Sequence, residues 1–279
     1  MTFRYLSSLC LLWSTAAILL GCGGGADAKN TATGNAAGNS ATSPVLAGVY
    51  YDSSSGHGFW GVITPSNRWY GLNYATYNPN IYSGDLTGAG TLQASITAPG
   101  MKYQNTVDAV LSGSANLTSS GSGKLAGSLG LSTPSISTFN INATSPTGYT
   151  FASAAQLSAV AGQWTGQLSF GSGSSANFGI TIASSDGALT ARASDGTEKF
   201  ADCKWTASSS NLTANTQINL YALTLHMEHV TNCDSDLDGK TLTGIAFITP
   251  GISNTQRLIW VAITPEGHAI AYKAERTAP

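Results

Sequence analysis

From Leu46 onward, apolar and polar side chains alternate with a period of two, broken by turn residues every 8–12 positions or so. This pattern constrains the chain more than any other feature. Successive side chains of a strand point to opposite faces, so a period of two builds strands with one buried and one solvated face. Ile218 to His229 shows it most clearly. Tyr221, Leu223, Leu225 and Met227 fall on one face, and Ala222, Thr224, His226 and Glu228 on the other. Turns are marked by Asp186-Gly187, Asp195-Gly196, Asp238-Gly239 and Glu266-Gly267. The expected class is all-β. Antiparallel strands joined by short turns hide their edges best by closing on themselves, so the expected architecture is two consecutive meander β-barrel-like domains.

The domain limits follow from the same reading. An N-terminal β domain is expected over 46–151 and a C-terminal barrel over 162–279. The strands of the second include Gly162–Ser169 at its start, Cys203–Ser209 in its middle and His268–Arg276 at its end. Between the domains, only 152–161 has helical character, with Ala154, Ala155, Leu157 and Val160 at mixed spacing, and it is read as a short helical hinge. The two halves resemble each other. Leu46-Ala47-Gly48-Val49-Tyr50 opens one and Val160-Ala161-Gly162-Gln163-Trp164 the other, 114 positions later.

Charged residues make up only 9% of the chain, against 42% hydrophobic. Polarity comes instead from Ser, Thr, Asn and Gly, so there is ample apolar material for a core. The net charge is −2 and no basic run occurs. A nucleic-acid partner would require such a run.

The N-terminus is organised differently. A single basic residue, Arg4, precedes an apolar run from Leu6 to Leu20, and small residues follow. This is the order of a secretory signal peptide over 1–21, too short to span a bilayer. Its last residues, Leu19-Leu20-Gly21-Cys22, resemble a bacterial lipobox. The resemblance implies cleavage before Cys22 and acylation of its thiol. Membrane attachment through two or more acyl chains is stable where a single chain is marginal. Residues 22–45, rich in Gly, Ala, Asn and Ser, read as a flexible tether. Some 20 such residues place the folded part about 25 Å from the lipid. With Gly23 following the cysteine, the resemblance implies sorting to the outer membrane. Cys10 leaves with the signal and Cys22 takes the lipid, so Cys203 and Cys233 are the expected disulfide pair of an exported chain. Closing that loop of about 30 residues would stabilise by roughly 3–4 kcal/mol.

Two further resemblances bear on fold and function. Gly162-x-Trp164 at the start of the second domain and Arg276 at the end of its last strand look like the lipocalin closure. There the Trp packs across the barrel bottom and the Arg lies over its ring, a cation–π contact. The first half departs from this pattern, with Tyr50 in place of the Trp and no Arg at its end. The whole outline resembles surface lipoproteins of Gram-negative bacteria with tandem small β-barrels, such as the factor H-binding and transferrin-binding lipoproteins. The C-terminal glycine and phenylalanine signature of the latter is absent here.

Three stretches could carry chemistry. Asp234, Asp236 and Asp238, followed by Gly239, open a D-x-D-x-D-G calcium loop, but Ile245 occupies the place of its bidentate Glu. A solvated hairpin turn accounts for them better. Nine aromatics lie between Tyr50 and Tyr82, most of them read as core. Tyr74 and Tyr77, on a loop rich in Asn, are the candidate partner-binding residues. No G-x-S-x-G occurs, and His57, His226, His229 and His268 are scattered. The expected function is therefore non-enzymatic and needs no cofactor. A lipid-anchored envelope protein would bind a partner protein, a glycan or another ligand. The alternatives are a lipocalin-like carrier of a small apolar molecule and an envelope hydrolase. Cys22→Ser should leave an unprocessed, unlipidated precursor. Incorporation of a radioactive fatty acid checks this, and equal label in mutant and wild type would exclude Cys22 as the acceptor.

Overall fold

The computed structural model describes residues 47–53, 58–73, 80–86, 96–104, 110–119, 124–131, 139–170, 175–193, 204–206, 210–231, 237–251 and 254–277. Strands dominate, in two antiparallel sheets. The first contains β1 (Gly48–Asp52), β2 (Phe59–Ile63), β3 (Arg68–Asn73), β4 (Asn80–Asp85), β5 (Ile96–Gln104), β6 (Val110–Ser119), β7 (Lys124–Leu131) and β8 (Phe139–Thr144). A one-turn helix, α1 (Leu157–Val160), follows. The second sheet contains β9 (Gly162–Phe170), β10 (Ser175–Ile182), β11 (Leu189–Ala193), β12 (Lys204–Thr206) and β13 (Asn211–Ala214). It is completed by β14 (Tyr221–Thr231), β15 (Lys240–Pro250), β16 (Thr255–Ile263) and β17 (Ala269–Thr277). The class is all-β, with two barrel-like domains.

In the first barrel the strands pair in chain order and β1 returns to β8 through the single pair Tyr51↔Thr144. That thin seam is reinforced by a side chain, since the buried Asp52 carboxylate accepts the Asn142 backbone N–H at 2.9 Å. The interior is aromatic. Phe59 and Trp69 are fully buried, and Trp69 stacks on Tyr82 with ring centroids 6.2 Å apart. Room for these rings comes from Gly61 and Gly71, which face each other across β2 and β3. A Cβ on Gly71 would lie 2.8 Å from the Trp69 ring, and one on Gly61 3.0 Å from Phe59. Neither position tolerates a side chain without displacing the core.

In the second domain β9, the first strand, pairs with β17, the last. The sheet then runs from β11 through β10, β9, β17, β16, β15 and β14 to β12. Among the described residues the ladder is therefore left unpaired not between the first and last strands but between β11 and β12. That gap narrows where β13, paired with β14, donates from Leu212 N–H to Gly187 O and accepts from Leu189 N–H at Ser210 O, both at 2.9 Å. On β14, Tyr221, Leu223, Leu225 and Met227 are buried while Ala222 and Glu228 are exposed, as the alternation predicts. The interior is closed by Trp164, Leu168, Phe178, Trp260 and Tyr272.

The outer faces of the two sheets meet. Val49, Trp60, Val62, Leu72 and Ile81, which point away from the first barrel's interior, form one buried cluster with residues of the second domain. Those residues are Ile245, Phe247, Ile259, Val261, Ile263 and Ala271. Trp60 lies 4.3 Å from the Tyr51 ring centroid and 5.7 Å from that of Phe247. Each large apolar side chain buried this way contributes about 1.5–3 kcal/mol. Consequently every residue of β2 is buried, and on β16 every residue from Leu258 to Ile263. Residues Thr42–Pro279 form one compact unit.

Candidate functional site

Two hairpin turns with the same construction stand beside the contact between the domains. After β2 comes Thr64-Pro65-Ser66-Asn67-Arg68, and after β16 comes Thr264-Pro265-Glu266-Gly267-His268. In the first, Thr64 N–H donates to Arg68 O at 2.9 Å and Asn67 N–H to Thr64 O at 2.9 Å. In the second, Thr264 N–H donates to His268 O at 2.8 Å and Gly267 N–H to Thr264 O at 3.0 Å. Each Thr hydroxyl accepts the backbone N–H four residues on, at 3.0 Å from Arg68 and 3.1 Å from His268. The fourth residue of each turn has positive φ, 61° at Asn67 and 106° at Gly267, where Gly and Asn are the natural occupants. The Glu266 carboxyl is held below its ordinary pKa, first by its own backbone N–H and then by the Thr264 hydroxyl.

Between these turns lies a cleft of about 740 Å³. The first barrel supplies Thr64, Ser66, Arg68 and Tyr70, with Ser83, Gly84 and Asp85 from β4. The second supplies Thr243 from β15, together with Ile263, Thr264 and Pro265. The Arg68 guanidinium donates to Asp85 Oδ1 at 3.1 Å and lies 5.8 Å from the Tyr70 ring centroid. Asp85 is 80% exposed and Arg68 37%, so the pair sits at the mouth, while Ser83, 3% exposed, lies deep. Size and position at a domain contact are those of small-molecule sites. The lining is mostly hydroxyl-bearing, and among the described residues its one guanidinium is matched by its one carboxylate.

A second cluster closes the floor of the second barrel and brings Gly162, Trp164 and Arg276 together. The Arg276 guanidinium lies 4.1 Å from the Trp164 ring centroid. It also donates to the carbonyls of Ala159 and Ala161, while Trp164 Nε1 donates to Val160 O at 2.8 Å. These carbonyls at the end of α1 have no partner within the helix, so the two side chains satisfy what the helix leaves open. Gln256 Oε1 fixes the Arg from the other side, at 3.0–3.1 Å. Gly162 adopts φ 105°, and a Cβ there would meet Arg276 Nη1 only at ordinary van der Waals distance, 3.4 Å. Backbone conformation rather than space selects glycine. Burial lowers the Arg276 pKa, against the opposing pull of Tyr221.

Of the remaining sequence candidates, Cys22, Cys203, Cys233, Tyr74, Tyr77, Asp234 and Asp236 lie outside the described residues. Lys204 and Thr231, the described residues nearest the two later cysteines in sequence, are register partners. Asp238 is exposed on a turn where Gly239, at φ 69°, donates to Met227 O at 2.7 Å. Among the described residues no three His, Cys, Asp or Glu side chains gather as metal ligands would. His226 and Glu228 share the outer face of β14, the His bonded to Thr241 Oγ1 at 2.9 Å.

The cleft itself was missed from sequence, although a signal existed. Ile-Thr-Pro occurs three times, at Ile63, Ile248 and Ile263, each time where a strand ends in a hairpin. Two of the three face the cleft. No family model, curated protein or solved structure matches the chain.

Trp164→Ala should cost about 3–5 kcal/mol, as emptying a buried aromatic site does. Arg276→Ala should cost less, about 1–2 kcal/mol, for a cation–π contact at a partly wet rim. Denaturant unfolding of both singles and the double mutant should give a non-additive sum. Additive losses would deny the contact any energetic role.

Proposed function

We propose that this chain is a non-enzymatic binding protein of the bacterial outer membrane, anchored by a lipid on Cys22, with its two domains as a rigid scaffold for a ligand bound outside the barrels. The observation that carries this reading is the filled interior. Trp164, Phe178, Trp260 and Tyr272 are each less than 2% exposed, and so are Phe59 and Trp69 in the first barrel. A carrier of the lipocalin kind needs an open apolar cavity, and here bulky rings from the protein's own strands occupy that space. The Tyr272 hydroxyl, donating toward Trp164 O at 3.1 Å and Phe178 O at 2.8 Å, ties the filling to the wall. A space open to a ligand outside the barrels is the cleft between the domains.

Its chemistry favours binding over hydrolysis. The Thr64 and Thr264 hydroxyls are tied into turn backbones, and the cleft carboxylate is paired with Arg68. The anchor rests on Leu19-Leu20-Gly21-Cys22, and the tether of residues 22–45 would hold the scaffold clear of the lipid surface.

Cis-parinaric acid, a fatty acid that fluoresces when buried, distinguishes the readings. Titrated into the protein, it should show no saturable rise in emission. Saturable binding at one site per chain would establish an apolar carrier and overturn this proposal.

A further inference from the structure

We infer that the cleft between the domains binds a neutral glycan, an inference that rests on the binding-protein reading above and specifies its ligand. Four observations converge. First, the lining carries hydroxyls on both walls, from Ser66 and Ser83 on one side and Thr243 on the other, with Tyr70, Ile263 and Pro265 as its larger apolar residues. A polyhydroxylated ligand is the complement of such a surface, and an apolar one is not.

Second, among the described residues the cleft lining carries no uncompensated charge. Its guanidinium donates to its carboxylate at 3.1 Å, so a phosphate or carboxylate ligand would have to break that pair to gain a cation. For a sugar the same pair is an asset. Arg68 has further N–H groups to donate and Asp85 has lone pairs to accept, side by side at the mouth of the cleft. Vicinal hydroxyls on a pyranose ring need that combination, one acting as acceptor and its neighbour as donor.

Third, Tyr70 is half-buried beside this pair, an aromatic face next to polar groups. The apolar C–H face of a pyranose packs on such a ring while its hydroxyls reach the rim.

Fourth, three of the four strands along the cleft cannot take a peptide as an added strand. β3, β15 and β16 are each paired on both sides there, and β4 is paired to β5 over Ile81–Ser83. Those ladders leave no row of backbone donors and acceptors open for β-augmentation on β3, β15 or β16. Side chains must do the recognising there, and those present are the ones that suit sugars.

The test uses the full-length lipidated protein in detergent micelles, titrated calorimetrically with maltopentaose, cellopentaose, mannopentaose and chitopentaose. Sialyllactose serves as the acidic control. At least one neutral pentasaccharide should bind with a Kd tighter than about 10 mM. Asp85→Ala should weaken that binding at least about tenfold, the change that loss of one charge-assisted hydrogen bond implies. Its side chain is 80% exposed, so the fold should survive. Tyr70→Leu keeps apolar bulk at the domain contact but removes the aromatic face, and should weaken binding as well.

The inference is overturned if none of the four pentasaccharides binds, if binding is indifferent to both variants, or if sialyllactose binds tightest through Arg68. Cis-parinaric acid added to the same sample, read against protein-free micelles of the same detergent, separates the two levels of the argument. Silent saccharides with silent parinaric acid end the glycan inference alone, while saturable parinaric acid binding ends the binding-protein reading beneath it.

Discussion

The apolar contact between the outer faces of the two sheets is the interaction on which the rest of the structure depends. A strand in an antiparallel sheet ordinarily buries one face and solvates the other. Here β2 and β16 bury both, because Trp60 and Val62 pack against the Ile259, Val261 and Phe247 side of the second domain. Exposing these side chains in separated barrels would return several large apolar groups to water, at about 1.5–3 kcal/mol each. The contact also fixes the cleft. Where the apolar cluster ends, the strands run into the two Thr-Pro turns, and the polar residues of β3, β4 and β15 line the space between them. The described walls are set by packing.

Each barrel is closed by a different polar device, and both act on backbone groups that regular structure leaves open. In the first, the Asp52 carboxylate caps a backbone N–H of β8 across a seam of one residue pair. In the second, Arg276 and Trp164 take up the carbonyls at the end of α1 and stack on each other. The segment between the halves is thereby tied to the second barrel, with Val160 fully buried. Tyr50 opens the first domain where Trp164 opens the second, and it too is buried, its phenol pKa pushed up to about 12 by desolvation. The two openings are alike in sequence and in burying an aromatic ring, and differ in what covers it.

How far the fold was legible follows from which faces are solvated. β14 was plain because its outer face is wet, so Leu223 and Leu225 alternate with Thr224 and His226. The pairing of β9 with β17 was legible from the placement of Trp164 and Arg276 at the ends of one domain. β13 was not, since Asn211-Leu212-Thr213-Ala214 offers one buried apolar side chain and no alternation long enough to register. The domain contact was also missed. Its mark is the unbroken run Leu258-Ile259-Trp260-Val261-Ala262-Ile263, which a strand needs when both faces are dry. The cleft lay hidden because its polar residues are unremarkable one by one. Only the recurrence of Ile-Thr-Pro tied two distant turns to one construction, and only the domain contact brings them together.

The central claim is that the shared apolar face makes the two domains one cooperative body. Differential scanning calorimetry of the intact protein tests it most directly. A single transition whose calorimetric and van't Hoff enthalpies agree is the predicted result, since neither barrel should remain folded once the face it shares is exposed. Two resolved transitions, or a calorimetric enthalpy near twice the van't Hoff value, would show that the barrels unfold independently and would contradict the account.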